Sequence, residues 1–132
     1  MPSRVQLSPE HPVIEIRYAG RLSRLELTQS IDEALLLSKE SGRVLVLTDC
    51  QELAGGHSIT DLFYLADRIK ELALNHRYRE AVIVPELPAT AGFAEFWETT
   101  CKNRGLTVKL FHDRDAALGW LLQKPSPEFL ER

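Results

Sequence analysis

Short blocks of hydrophobic residues recur along the chain and predict five strands. The segment 13–18 (VIEIRY) alternates with a period of two, which predicts a strand with one partly solvated face. The segment 5–7 (VQL) predicts a short antiparallel partner for it. The runs 44–48 (VLVLT) and 81–84 (AVIV) show no polar alternation, as is typical of parallel strands covered on both faces. The segment 107–111 (TVKLF) predicts the last strand.

Apolar residues spaced three and four apart predict four helices between and after these strands. The first begins at Ser23, where a glutamate three residues later predicts a capping box, and it ends at Gly42. The second helix is predicted roughly over 59–75 and the third near 90–104. Asp113 is the predicted N-cap of the last helix.

The order β(β)αβαβαβα predicts the fold class. Strands that alternate with helices imply right-handed crossovers and a mostly parallel sheet with helices packed on it. We therefore predict a single α/β domain of about five strands over 1–124 and an extended, proline-containing tail over 125–132. Ligands of such sheets bind beyond the carboxyl ends of the strands, where loops 49–58 and 85–92 are expected.

Composition and charge exclude several classes of function. The chain has 132 residues, of which 44% are hydrophobic and 27% charged, so one globular domain is expected. The net charge is −3 and no Lys/Arg run occurs, which argues against a nucleic-acid-binding surface. There is no apolar run of the ~20 residues that a transmembrane segment needs, and no signal-peptide pattern, so we expect a cytoplasmic protein. Cys50 and Cys101 are expected to be free thiols.

The stretch 49–61 (DCQELAGGHSITD) concentrates the candidate chemistry of the chain. We interpret it as a strand-to-helix turn that starts at Asp49, with Asp49 and His57 at the mouth of a pocket. Ser58 is predicted to cap the second helix in a capping-box pattern, and the same helix N-terminus would suit a phosphate. A nucleophilic Cys50 beside His57 is an alternative, but a catalytic thiol needs a lowered pKa that spacing cannot show.

Metal and cofactor motifs are absent from the sequence. No pair of Cys or His residues has the close spacing of CxxC or HExxH, and no GxGxxG or GxxxxGK[ST] loop occurs. We therefore expect no catalytic residue, no metal and no cofactor.

The second predicted helix carries more apolar residues than one core-facing stripe needs. Such residues at helical spacing are typical of a core, but an excess also indicates a ligand cavity, a partner subunit or a membrane surface. We predict a crevice between the second and third helices for an apolar small molecule or a protein partner. An apolar helix face also predicts a symmetric homodimer. The predicted ligand-binding residues are Leu62, Phe63, Ala66, Phe93, Phe96 and Trp97.

These residues and their order resemble the STAS fold. More closely, they resemble its SpoIIAA-like branch, which is related in shape to CRAL-TRIO lipid-carrier domains. The resemblance is carried by VLVLTD (44–49), by the nine-residue step from Asp49 to Ser58, and by FHDRDAALGWL (111–121), and it spans about 13–122. For the SpoIIAA-like branch it implies the binding or carrying of an apolar molecule.

The same resemblance implies an alternative function. In anti-anti-sigma factors of this fold, a kinase phosphorylates a serine at the start of the second helix, within a pattern that resembles Asp-Ser-Ser-Gly. Ser58 occupies the matching position, whereas His57, Ile59 and Thr60 replace its neighbours. The alternative is therefore a regulatory partner-switching protein controlled by phosphorylation at Ser58.

Overall fold

The computed structural model describes residues 3–72 and 78–123. In this part of the chain one sheet of five strands keeps the order of the sequence. The first strand is antiparallel to the second, and the other neighbours are parallel. The strands are Ser3–Leu7 (β1), Val13–Arg21 (β2), Leu45–Gly55 (β3), Arg79–Ile83 (β4) and Thr107–Phe111 (β5).

Four helices in the described residues connect and follow these strands. The order of elements confirms the predicted α/β fold class, and the antiparallel β1 makes the sheet mixed. The helices are Arg24–Ser41 (α1), Ile59–Leu72 (α2), Pro88–Lys102 (α3) and Arg114–Leu121 (α4).

Local capping interactions fix where the helices begin and end. The Ser23 hydroxyl accepts a hydrogen bond from the Glu26 N–H at 3.2 Å, and the Glu26 carboxylate accepts one from the Ser23 N–H at 3.0 Å. Gly42 ends α1 with φ of 79°, a conformation that glycine adopts without steric cost. The Asp113 carboxylate accepts from the Ala116 N–H at 2.8 Å and begins α4. These contacts confirm the predicted caps.

The sheet separates two apolar clusters. Helices α1, α2 and α3 pack on one face, and α4 packs on the other. Because successive side chains of a strand point to opposite faces, Val46 and Cys50 of β3 belong to the three-helix side, whereas Leu47 belongs to the α4 side. The predicted double coverage of this strand is confirmed at these positions.

Strand β3 is longer than the sequence indicated. The apolar pattern ended the strand at Thr48 and predicted a turn from Asp49, but the strand continues to Gly55. The reason lies in β2, which also continues to Arg21 and pairs with the added part of β3 through two register irregularities. A neighbouring strand thus satisfies the backbone of a polar segment that would otherwise turn.

Other boundaries differ by a few residues. Strand β4 and helix α3 each begin two residues before the predicted positions. The predicted end of the second helix at 75 and the predicted tail 125–132 lie outside the described residues. Within 3–72 and 78–123, no helix combines the length and the apolar character that crossing a membrane requires.

Candidate functional site

An apolar cavity lies between the sheet and the helices α1, α2 and α3. The space open to the centre of a water molecule is about 80 Å³, and one side of it opens to the surface. Since one water needs roughly 10–15 Å³ on this measure, the cavity is large enough for a small organic group. Its walls are mostly apolar and include Ile16 of β2, Ile31 of α1, Leu62 of α2 and Phe93 of α3.

Two ion pairs hold the helices that cover this cavity side by side. Arg68 of α2 binds Asp32 of α1 in a bidentate pair, with N···O distances of 2.6 and 2.8 Å. Arg104, just after α3, binds Asp67 of α2 at 2.6 Å. Both pairs are partly solvated, so neither is a large contribution to stability. Their role is geometric, because they fix α2 between its two neighbours.

A buried carboxyl group, Glu80 of β4, lines the cavity. Its carboxyl group accepts two hydrogen bonds, one from the Thr48 hydroxyl at 2.6 Å and one from the Trp97 indole N–H at 2.8 Å. Glu80 is 6% exposed, and no described Lys, Arg or His side chain forms an ion pair with it. Burial raises the pKa of Glu80, and the two donors only partly oppose this shift. Burial thus makes ionisation of Glu80 less favourable than it is in water.

The phenols beside Glu80 carry no charge at neutral pH. Tyr18 of β2 lines the cavity, and its hydroxyl lies 2.5 Å from the hydroxyl of Ser30 on α1. Tyr78, which precedes β4, lines it as well. Burial raises the pKa of both Tyr18 and Tyr78. These phenols thus supply aromatic faces and hydroxyl dipoles without charge.

Cys50 and Cys101 are buried free thiols, as predicted. Burial raises the pKa of both, and the nearby Glu80 carboxyl raises it further. A nucleophilic cysteine needs the opposite shift, toward the thiolate. The geometry therefore provides no activated thiolate at Cys50.

The Gly55–Gly56 pair brings His57 to the cavity. The Leu22 N–H donates to the Gly55 carbonyl at 2.8 Å, so the loop lies directly against the end of β2. At Gly56 φ is +100°, and a Cβ atom there would stand 2.6 Å from the Leu22 nitrogen. Only glycine fits both the conformation and the close approach. The two glycines are therefore required for the position of the residue that follows.

His57 lies at the edge of the cavity and packs edge-on against Phe93, with ring centroids 5.2 Å apart. Burial lowers the pKa of His57, so the imidazole is held neutral. Its Nδ1 atom is buried and makes no hydrogen bond of good geometry among the described residues, although the nearby backbone of Gly55 and Leu22 partly opposes the lowering of the pKa.

The structure divides the six predicted ligand-binding residues into three groups. Leu62, Phe93 and Trp97 line the cavity. Ala66 is fully buried in the core beside it. Phe63 and Phe96 instead pack edge-to-face at 5.1 Å on the outer side of α2 and α3, where Phe63 is 42% exposed. The cavity thus lies under the two helices and against the sheet, rather than in the outer groove between them.

Asp49 is placed away from this cavity. It follows Thr48 in β3, so its side chain points to the opposite face of the sheet. There it lines a polar groove with Arg17 and Arg114, and its carboxylate accepts from the Gln51 N–H at 3.0 Å. Of the two residues predicted at the pocket mouth, the structure brings only His57 to the cavity.

Ser58 is exposed at the start of α2. Its hydroxyl accepts from the Asp61 N–H at 3.1 Å, and the Asp61 carboxylate accepts from the Ser58 N–H at 2.8 Å. This reciprocal pair confirms the predicted capping box, with Asp in place of the usual Glu or Gln.

Sequence reasoning did not select Glu80, Thr48 or Tyr18 as site residues. The signal for Glu80 was its position two residues before Val82 in a strand that is covered on both faces. Side chains two residues apart in a strand share one face of the sheet, so Glu80 is expected to point into the core together with Val82. The described residues contain no group of three or more His, Cys, Asp or Glu side chains suited to a metal ion.

Comparison with known proteins supports the fold. No protein-family model matches the chain, and no curated protein matches it. Among solved structures, it is similar to the crystal structure of an uncharacterised protein of the DUF3478 family from Shewanella loihica PV-4, which is described as having a SpoIIAA-like fold. The TM-score is 0.57, over 90% of this chain and 91% of that chain, at 20% sequence identity. This chain has a SpoIIAA-like fold.

The SpoIIAA-like fold agrees with the resemblance seen in the sequence. The matched region covers 90% of the chain. At this level of identity the likeness concerns architecture alone, and function has to be argued from the site.

Proposed function

We propose that this protein is a non-enzymatic binding module that holds an apolar small molecule in the cavity between the sheet and helices α1, α2 and α3. The observation that carries the proposal is a mostly apolar space where a core is normally close-packed. Small-molecule sites typically combine apolar and aromatic walls with a few well-placed polar groups. Glu80 and His57 are the polar groups of this kind here.

The polar groups argue against an ordinary core. Burying the Glu80 carboxyl group costs free energy, and an apolar residue of similar size would avoid that cost. A carboxyl group is expected beside such a cavity where it contacts a ligand.

Native mass spectrometry of gently purified protein tests this function. We expect additional mass that is lost on denaturation. Ala94→Phe, which places a ring in the cavity from α3, should abolish it, whereas Ala116→Phe on the exposed side of α4 should not. If Ala94→Phe does not fold, Ala34→Phe fills the cavity from α1 instead. Equal masses for the wild type and a folded cavity-filling variant would contradict the proposal.

A protein partner and a homodimer remain predictions, based on apolar side chains that are exposed on the same helices. Leu25 and Leu36 on α1, and Phe63 and Tyr64 on α2, are large apolar side chains left exposed. Analytical ultracentrifugation tests self-association: a monomer at high concentration would count against a dimer. The expected cytoplasmic location also remains a prediction.

Partner switching at Ser58 also stays a prediction. A phosphate on Ser58 would lie beside the Asp61 carboxylate, which accepts the Ser58 N–H, and like charges oppose each other there. We therefore give preference to the small-molecule function. Phosphopeptide analysis of protein from its own cells tests the alternative, and an unmodified Ser58 under all growth conditions would refute it.

A further inference from the structure

We propose that the ligand of this cavity is an apolar molecule that carries a protonated amine, with the amine against the Glu80 carboxylate and the apolar body among the aromatic walls. This inference rests on the function proposed above and adds the chemical class of the ligand.

Glu80 has no ion-pair partner among the described residues. A buried carboxylate is normally paired with a positive charge, because an isolated one is costly. No described Lys, Arg or His side chain pairs with Glu80, although it lines a cavity that opens to the surface. A ligand that supplied the cation would complete the pair.

The Glu80 carboxylate also has unused hydrogen-bonding capacity. A carboxylate has about four acceptor positions. In Glu80 each oxygen receives one donor, the Thr48 hydroxyl on one and the Trp97 indole N–H on the other. These two bonds fix the orientation of the carboxyl and leave acceptor positions for an ammonium group, which has only donors.

The cavity walls are rich in aromatic side chains. Tyr18, Tyr78, Phe93 and Trp97 line the cavity together with Glu80. Aromatic faces attract cations, and most strongly where the site is desolvated. They also give an apolar body a large contact area. An aromatic cavity with one carboxyl is therefore suited to an amine rather than to an anion.

The other titratable groups around Glu80 do not compete with it. Tyr18 from β2, Cys50 from β3, Tyr78 before β4 and Cys101 from α3 have pKa values raised by burial and stay neutral. His57, from the loop before α2, has a lowered pKa and stays neutral as well. Glu80 is thus the group among them that can carry the negative charge opposite an ammonium group.

Three ligands of similar shape test the inference: benzylamine, benzyl alcohol and toluene. The assay is an NMR titration of ¹⁵N-labelled protein at neutral pH, where benzylamine is protonated. We expect benzylamine to bind about tenfold more tightly than the other two, a difference of about 1.4 kcal/mol. In Glu80→Gln, whose amide can keep both hydrogen bonds, this preference should disappear while toluene binding changes little.

A control variant and the pattern of binding distinguish failure of the amine inference from failure of the proposed binding function. Glu95→Gln, which removes an exposed carboxylate from α3, should keep the preference for benzylamine. Equal binding of the three ligands by the wild type, or a preference that persists in Glu80→Gln, would overturn the amine inference and leave the binding function standing. If no ligand binds, both fail. The wild-type ranking decides the question even if Glu80→Gln does not fold.

Discussion

Replacing Glu80 by Gln should remove a large part of the dependence of stability on pH. In the folded protein burial raises the pKa of Glu80 above its ordinary value of 4.5, whereas in the unfolded chain the group regains that value. Well below pH 4.5 the carboxyl group is neutral in both the folded and the unfolded state, so its ionisation does not change the free energy of unfolding. As the pH rises toward the folded-state pKa, the unfolded chain releases its proton first. The wild type therefore loses stability over this window, and the variant does not.

The magnitude follows from the contacts of the side chain. A Gln amide can accept from the Trp97 N–H and donate to the Thr48 hydroxyl, so both hydrogen bonds survive. At acidic pH we therefore expect the two proteins to agree within about 1 kcal/mol. Each pH unit between the unfolded-state and folded-state pKa then favours the variant by about 1.4 kcal/mol.

Equilibrium urea unfolding at a series of pH values, followed by circular dichroism, measures this difference. Glu95→Gln is the control, because its side chain is exposed and its substitution should change stability little at any pH. A constant difference between Glu80→Gln and the wild type from acidic to alkaline pH would refute the reasoning, since it would mean that Glu80 ionises alike in both states.

Two further substitutions test local geometry. Gly56→Ala should destabilise the protein by about 1–3 kcal/mol more than Gly42→Ala. Both sites have positive φ, but only at Gly56 would a Cβ atom meet backbone, that of Leu22; equal losses of unfolding free energy in urea would contradict this. Ser58→Ala should cost about 1 kcal/mol through loss of the α2 cap, and a loss below a few tenths in the same assay would show that the cap contributes little.

Much of the fold was predictable because its determinants are local. Apolar runs such as 44–48, the spacing of Ser23 and its partner glutamate, and Gly42 after the helix each act over a few residues. The order of elements follows from them, and the α/β fold class follows from the order. The continuation of β3 to Gly55 was not predictable in this way, because it depends on pairing with the end of β2, far away in the sequence.

The candidate site was only partly predictable for a related reason. Trp97 and Phe93 were selected because aromatic residues at helical spacing mark an inward face. Asp49 was selected for its nearness to the loop along the chain, but strand alternation turns it to the opposite face of the sheet. Glu80 was not selected because its strand was predicted to begin at residue 81, whereas β4 begins at Arg79 and therefore includes Glu80.

The central claim is that the cavity under α2 and α3 binds an apolar molecule. The most direct measurement is an NMR titration of the ¹⁵N-labelled wild type and of Ala94→Phe with toluene. We predict saturable chemical-shift changes in the wild type at residues that line the cavity, such as Ile16, Leu62 and Val82. These changes should be lost in the variant. No saturable shifts in the wild type, or shifts confined to the outer pair of Phe63 and Phe96, would contradict it.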